Sequence, residues 1–202
     1  MKSLKSYMQE KLTIKKSKYK YFPETKEELK DIIKKRIIEE GNNVDLNDID
    51  VSNITDMSGL FEGTNFNGNI SKWNVSNVTN MYGMFCNCIK FNQDISSWDV
   101  SNVKDMSYMF VGCKSFNQDI SSWNVSKVTN MVYMFYKCEL FNQNISKWDV
   151  SKVKNKYKIF NYCPIEEKYK PKFKGNHLKV TYKKNLQLKR LSIIISQKQK
   201  KN

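Results

Sequence analysis

Metal or redox chemistry in this 202-residue chain would fall first to its five cysteines and one histidine. Cys88, Cys113, Cys138 and Cys163 stand 25 residues apart, and Cys86 forms the close pair Cys86-Asn87-Cys88 with the first of them. Zinc needs four ligands in a tetrahedron, and sequences supply them as local CxxC pairs joined by a second pair or by histidines. A spacing of 25 with no CxxC and no neighbouring histidine lacks that pattern. The four are therefore read as reduced thiols filling small buried slots, and Cys86, which is off register, is expected to react first. His177 lies in a basic tail, so no Ser-His-Asp or Cys-His pair is suggested. Seven glycines form no phosphate-binding loop. Asp94, Asp99, Asp119 and Asp149 recur with a fixed period, and Asn74, Asn124 and Asn144 occupy matching slots. An acid that exchanges freely with its amide does not serve as a general acid. Catalytic residues, metal ligands and cofactors are all expected to be absent, and the chain is not expected to be an enzyme.

The period that disposes of the chemistry is itself the main signal. The octapeptide FNQDISSW at Phe91–Trp98 returns at Phe116–Trp123, and Trp73, Trp98, Trp123 and Trp148 are the four tryptophans. Units run Asp50–Trp73, Asn74–Trp98, Asp99–Trp123 and Asn124–Trp148, and a fifth fades near Cys163; the first is one residue short between Phe61 and Phe66. Within one unit the fixed apolar positions are Val100, Val103, Met106, Met109, Phe110, Phe116, Ile120 and Trp123. Val103, Met106, Met109 and Phe110 have the spacing of one face of a two-turn helix, with Ser101 as its N-cap. The half containing Ile120, Trp123 and Val125 reads as a short strand. A unit of that size cannot bury its apolar face alone, and stacking on its neighbours supplies the cover. The expectation is an α/β repeat solenoid with one short helix and one short strand per coil. The tryptophans are placed in its core or core edge, the alternative being an exposed stacking strip. Asn67, Asn92, Asn117 and Asn142 are expected to form a ladder to backbone groups of adjacent coils.

The flanks complete the layout. In PETKEELKDIIKKRIIEEG, Thr25 and Glu28 make a capping box, Gly41 a stop, and Leu29, Ile32, Ile33 and Ile37 an apolar face suited to covering the first coil. The segments are then a basic N-terminal stretch (1–22), a capping helix and lead-in strand (23–49), the repeats (50–163), a proline-containing C-terminal cap (164–175) and a basic tail (176–202).

The stretch VKDMSYMFVGCKSFNQDISSWNVS, residues 103–126, resembles the BspA-like leucine-rich-repeat family, in the variant common in bacterial surface lipoproteins. The resemblance covers about residues 24–173. It implies a leucine-rich-repeat-like stack with a helical cap, and a non-enzymatic protein associated with cell surfaces, adhesion and protein binding.

Function is then sought in what varies between copies. Variable positions include Gly59, Tyr82, Tyr108, Tyr133 and Tyr136, and, in the turns, Lys114, Lys137, Lys147 and Lys152. Tyr82, Tyr108, Tyr133, Tyr136, Lys114 and Lys137 are the candidate contact surface for an unidentified protein partner, the bland reading being a solvated face. Net charge is +15, and it belongs to the ends. Residues 1–20 carry seven Lys and one Glu, residues 164–202 eleven Lys, one Arg and two Glu, and the middle sums to −1. The tail, with Lys183, Lys184, Lys189 and Arg190, is the alternative site, either disordered or binding nucleic acid or an anionic membrane surface. The basic start has no apolar h-region behind it, so a cytoplasmic monomer is expected from the residues, against the cell surface implied by the resemblance.

Overall fold

The computed structural model describes residues 3–5, 8, 9, 11, 13 and 18–173. Helix α1, Lys26–Glu40, is where the capping signals place it. The Thr25 side chain accepts from the Glu28 N–H at 3.2 Å, and the Glu28 carboxylate reaches back to the N–H of Glu24 at 2.9 Å. Gly41 ends the helix with φ +88°, a left-handed backbone that glycine adopts without steric cost. Leu29 and Ile33 are buried, with Ile32 and Ile37 packed at the margin. Arg36 is buried as well. Its guanidinium donates to both Asp48 carboxylate oxygens at 3.0 Å, to Glu40 and to the Asp45 carbonyl, and it stacks on Tyr21. Burial disfavours its charge, but the hydrogen bonds to Glu40 and Asp48 outweigh this and raise its pKa. The pair ties α1 to the lead-in segment, where Val44, Leu46 and Ile49 enter the core.

From Asp50 onward the expected α/β solenoid is not what forms. Among the described residues of the repeats there is no helix and no strand, only turns and single-residue parallel bridges linking Asp56, Asn80, Asp105, Asn130 and Asn155 in succession. The chain runs in coils stacked on one another, and the backbone explains why neither regular element appears. In the second coil the N–H groups of Met81, Gly83, Phe85 and Asn87 donate to the carbonyls of Asp105, Ser107, Met109 and Val111 on the next coil. The N–H groups between them, of Met84, Cys86 and Cys88, instead close turns to the residue three before. Alternate peptides therefore point along the stack and the others lie within the coil.

An α-helix would send every N–H back four residues. Here the Phe110 N–H goes forward to Met134 at 3.0 Å rather than back to Met106. Two positions per coil hold left-handed residues that break helical propagation: Gly59 and Gly63, Gly83 and Asn87, Tyr108 and Gly112, Tyr133 and Lys137, Lys158 and Tyr162. Ser101 is accordingly no N-cap; its N–H donates to Asp99 Oδ1 at 3.0 Å in a local turn.

The expected strand is replaced by side chains bonding to backbone. The Asn92 N–H donates to Asn67 Oδ1, Asn117 to Asn92 and Asn142 to Asn117, each at 2.9–3.0 Å, which is the asparagine ladder. Each tryptophan Nε1 donates to a carbonyl 27 or 28 residues earlier, as Trp123 does to Ile95 at 3.1 Å. The tryptophans are 3–5% exposed and belong to the core. Phenylalanines form two further columns: Phe61, Phe85, Phe110, Phe135 and Phe160 at 5.4–5.8 Å, and Phe66, Phe91, Phe116 and Phe141 at 5.8–6.4 Å. Each buried ring is worth about 1.5–3 kcal/mol, more than the ~1 kcal/mol net of one ladder bond. The rings supply the energy and the ladder the register.

Gly68 shows how the first coil is fitted. It takes the slot of Gln93, Gln118 and Gln143, and a Cβ there would lie 2.0 Å from the Val44 carbonyl oxygen. Gly68→Ala should therefore lose about 3 kcal/mol by chemical denaturation, a backbone collision that side-chain movement cannot relieve. Deleting Asp99–Trp123 should leave a cooperatively folding protein because a 25-residue excision restores every rung. Deleting only Val111–Trp123 should abolish the transition, and equal melting temperatures would contradict the register.

Candidate functional site

The tyrosines singled out in the sequence do come together. Tyr82 and Tyr108 have ring centroids 5.4 Å apart, Tyr108 and Tyr133 5.3 Å, and Tyr133 and Tyr136 5.1 Å. The contacts continue from Tyr133 to Tyr157 and from Tyr136 to Tyr162, both at 5.5 Å. Tyr82, Tyr157 and Tyr162 are 40%, 45% and 72% exposed, and the other three are half-buried. Burial raises the phenol pKa of Tyr82, Tyr108 and Tyr133, so these three rings stay neutral through the physiological range. Lys137 lies over the Tyr136 ring at 5.5 Å and Lys158 over Tyr157 at 5.2 Å. Lys114 is placed elsewhere, in the turn after Cys113, paired with Glu139 at 2.9 Å.

Tyr108, Tyr133, Lys137, Lys158 and Tyr162 all occupy left-handed backbone positions with φ between +51° and +62°. Bulky residues are uncommon there, and holding one costs roughly 1–2 kcal/mol. Gly83 fills the slot of Tyr108, so glycine is the unstrained choice and this chain departs from it on one face. Tyr157 and Tyr162 escaped the sequence reading because the fifth unit looked like a decaying copy. Carrying the 25-residue register into the fifth unit would have placed Tyr157 in the slot of Tyr82 and Tyr162 in the slot of Lys137.

Three of the four column cysteines, Cys88, Cys113 and Cys138, are buried as expected, whereas Cys163, in the terminal coil, is only half-buried. Cys113 and Cys138 are fully buried, and their Sγ atoms donate to the carbonyls of Phe85 and Phe110 at 2.9 and 2.8 Å. Cys88 is bonded likewise to Phe66, and Cys163 to Phe141. Burial pushes the thiols of Cys88 and Cys163 up to about 11, and those of Cys113 and Cys138 well above their ordinary value. Cys86 is half-buried, and its thiol is pushed up to about 12, so exposure favours its reaction while acidity opposes it. The described residues hold no group of three or more His, Cys, Asp or Glu arranged for a metal ion.

The acid slots are turn formers. Oδ1 of Asp94, Asp99 and Asp119 accepts the N–H of the serine two residues on, and Oδ1 of Asn74, Asn124 and Asn144 does the same. Only that oxygen is used, which is why acid and amide interchange. The serine hydroxyls and N–H groups hold these three carboxyls below their ordinary pKa. Their stabilising effect is therefore complete at neutral pH and is lost as pH falls through the lowered values, while the asparagine slots are indifferent. Lys183, Lys184, Lys189, Arg190 and His177 lie outside the described residues.

The sequence profile of the family described as Mycoplasma protein of unknown function, DUF285, matches residues 28–131 and again residues 98–170. The chain belongs to the DUF285 family. The two matches overlap across residues 98–131, as a profile spanning several units must when it slides along a repeat. No curated protein and no solved structure matches this DUF285 chain.

In native protein at pH 8, Cys113 and Cys138 should resist a thiol-specific reagent for hours, and all five cysteines should react once denatured. Rapid native labelling of either would contradict the buried column.

Proposed function

We propose that this DUF285 chain is a non-catalytic protein-recognition module that binds its partner through the tyrosine face. The single supporting observation is the continuous contact of six tyrosine rings on one side of the stack, three of them at left-handed positions where glycine would be easier. Tyrosine gives large contact area at low conformational cost and is enriched among the residues that dominate interfaces. Lys137 and Lys158 at the rim suit a partner with carboxylates beside its apolar contacts. The resemblance to BspA-like surface repeats points the same way, toward adhesion or interaction at a cell surface. No helix of the described residues is long and apolar enough to cross a membrane.

A second reading, polyanion binding through the ends, rests on the +6 and +10 charges of residues 1–20 and 164–202. It would be strongly salt dependent.

The test uses a substitution already present in the chain. Tyr108→Gly with Tyr133→Gly copies the Gly83 coil, so the fold should hold while about 2 kcal/mol per ring is lost from binding, roughly 30-fold each. The measurement is capture of a surface-extract protein by wild-type and doubly substituted chain at physiological salt, with circular dichroism to confirm folding. Equal capture by both would count against the tyrosine face. Capture of nucleic acid alone, abolished by removing residues 1–20 and 176–202, would favour the second reading.

A further inference from the structure

Along the tyrosine-bearing segment of each coil the coil-to-coil ladder has one direction, and the two ends of the stack differ chemically there. From the bridge residue to the second left-handed position of each coil the rungs run from N–H groups of one coil to carbonyls of the next, ending with Met131, Tyr133, Phe135 and Lys137 donating to Asn155, Tyr157, Ile159 and Asn161. Just before this segment the N–H groups of Thr79, Lys104, Thr129 and Lys154 donate backward instead. The corresponding donors of the fifth coil include the N–H groups of Lys158, Phe160 and Tyr162. Among the described residues none of these three N–H groups makes a hydrogen bond. At the opposite end α1 lies against the first coil, with Lys26 Nζ bonded to Asp56 and Ser58 beside the outward carbonyls. Among the described residues, α1 contacts the first coil at Asp56 and Ser58, and this segment of the fifth coil presents donors.

The fifth coil also changes sign. Lys152, Lys154, Lys156 and Lys158 alternate along it where the coil before has Lys127, Thr129, Met131 and Tyr133. Lys152, Lys154 and Lys158 are exposed. The nearby acids of the closing segment are engaged, Glu166 with Lys168 and Glu167 with Lys170. In that segment Lys170 Nζ lies over the Phe160 ring at 5.7 Å, and the Phe173 ring, packed at the core margin, lies under Lys156 Nζ at 4.9 Å. A second copy of the chain meets this end with like donors and like charges, so end-to-end self-association is opposed twice.

We propose that the fifth coil is a docking edge for an acidic polypeptide segment of a partner protein. The segment lays alternate carbonyls on the N–H groups of Lys158, Phe160 and Tyr162 and its carboxylates against Lys154 and Lys158. The occupant does for the last coil what each coil does for the one before it, and its acidity answers the lysine row. This edge stands apart from the tyrosine face proposed above, and its failure would leave that reading intact.

A suitable probe is a synthetic peptide of residues 125–142, with Lys127→Glu and Lys137→Glu to make it acidic and Cys138→Ser to prevent oxidation. In the protein, the Asn130, Val132, Met134 and Tyr136 carbonyls of this segment already accept from the third coil. Titrated into the 15N-labelled full chain, it should slow amide exchange at Lys158, Phe160 and Tyr162 about tenfold or more. Asn161 and Cys163, whose N–H groups are already bonded within the coil, should be unaffected. Lys154→Glu with Lys158→Glu should weaken binding about tenfold or more, and Lys147→Glu, outside this row, should not. Absence of binding, binding without protection of the three amides, or equal affinity for the charge-reversed chain would each overturn the proposal. So would protection by inorganic phosphate alone, which would identify a small-anion site instead.

Discussion

Everything in the repeats depends on one hydrogen-bond constraint: alternate peptide groups donate forward to the next coil while the peptides between them close turns. That pattern fixes the 25-residue period, because a coil of another length would misalign every rung at once. The short first unit meets the constraint by bonding 23 residues ahead, Met57 to Asn80, where later coils bond 24 ahead. It also requires left-handed residues at two places per coil, and through them it decides which side chains stand on the outer face. The rings stacked at 5.4–6.4 Å supply most of the cohesion. Without the ladder they would have no reason to stay in file.

The period, the apolar set and the capping helix were all legible in the sequence. The buried tryptophans and the asparagine ladder were also readable, since each is a statement about positions that do not change between full units. The buried slots of Cys88, Cys113 and Cys138 followed from the lack of any metal-ligand spacing. What failed was the assignment of secondary structure within a unit. Val103, Met106, Met109 and Phe110 satisfy helical spacing, but a coil that closes successive three-residue turns, Met109 to Met106 and Cys113 to Phe110, buries the same positions. The deciding signal was present in Gly59 and Gly63, four residues apart, and in Gly83 and Gly112, which take the first and second of those left-handed slots in later coils. It was masked where Tyr108, Tyr133 and Lys137 occupy the same slots. Likewise the half with Ile120 and Trp123 has the composition of a strand, yet asparagine and tryptophan side chains make its cross-coil bonds in place of a backbone ladder.

Function follows from the same division between constant and variable positions. Constant residues face inward or cap turns, and the acids among them serve only as oxygen acceptors. The tyrosine face is variable in sequence and costly in backbone conformation, the combination expected of a surface held for contact rather than for stability. The chain's DUF285 membership leaves its partner open, and the proposed binding role rests on that face. The forward run of rungs along the tyrosine-bearing segment adds a second asymmetry, leaving N–H donors beside a lysine row on the fifth coil.

The most direct measurement of the central claim is NMR detection of scalar couplings across backbone hydrogen bonds in the isotopically labelled chain. Such a coupling names the donor nitrogen and the acceptor carbonyl carbon without reference to any coordinates. Couplings from Phe85 N to Met109 C′ and from Phe110 N to Met134 C′ are the predicted result, one rung on each of two successive coils. Couplings from Phe110 N to Met106 C′, the helical pair four residues back, would contradict the forward ladder and everything built on it.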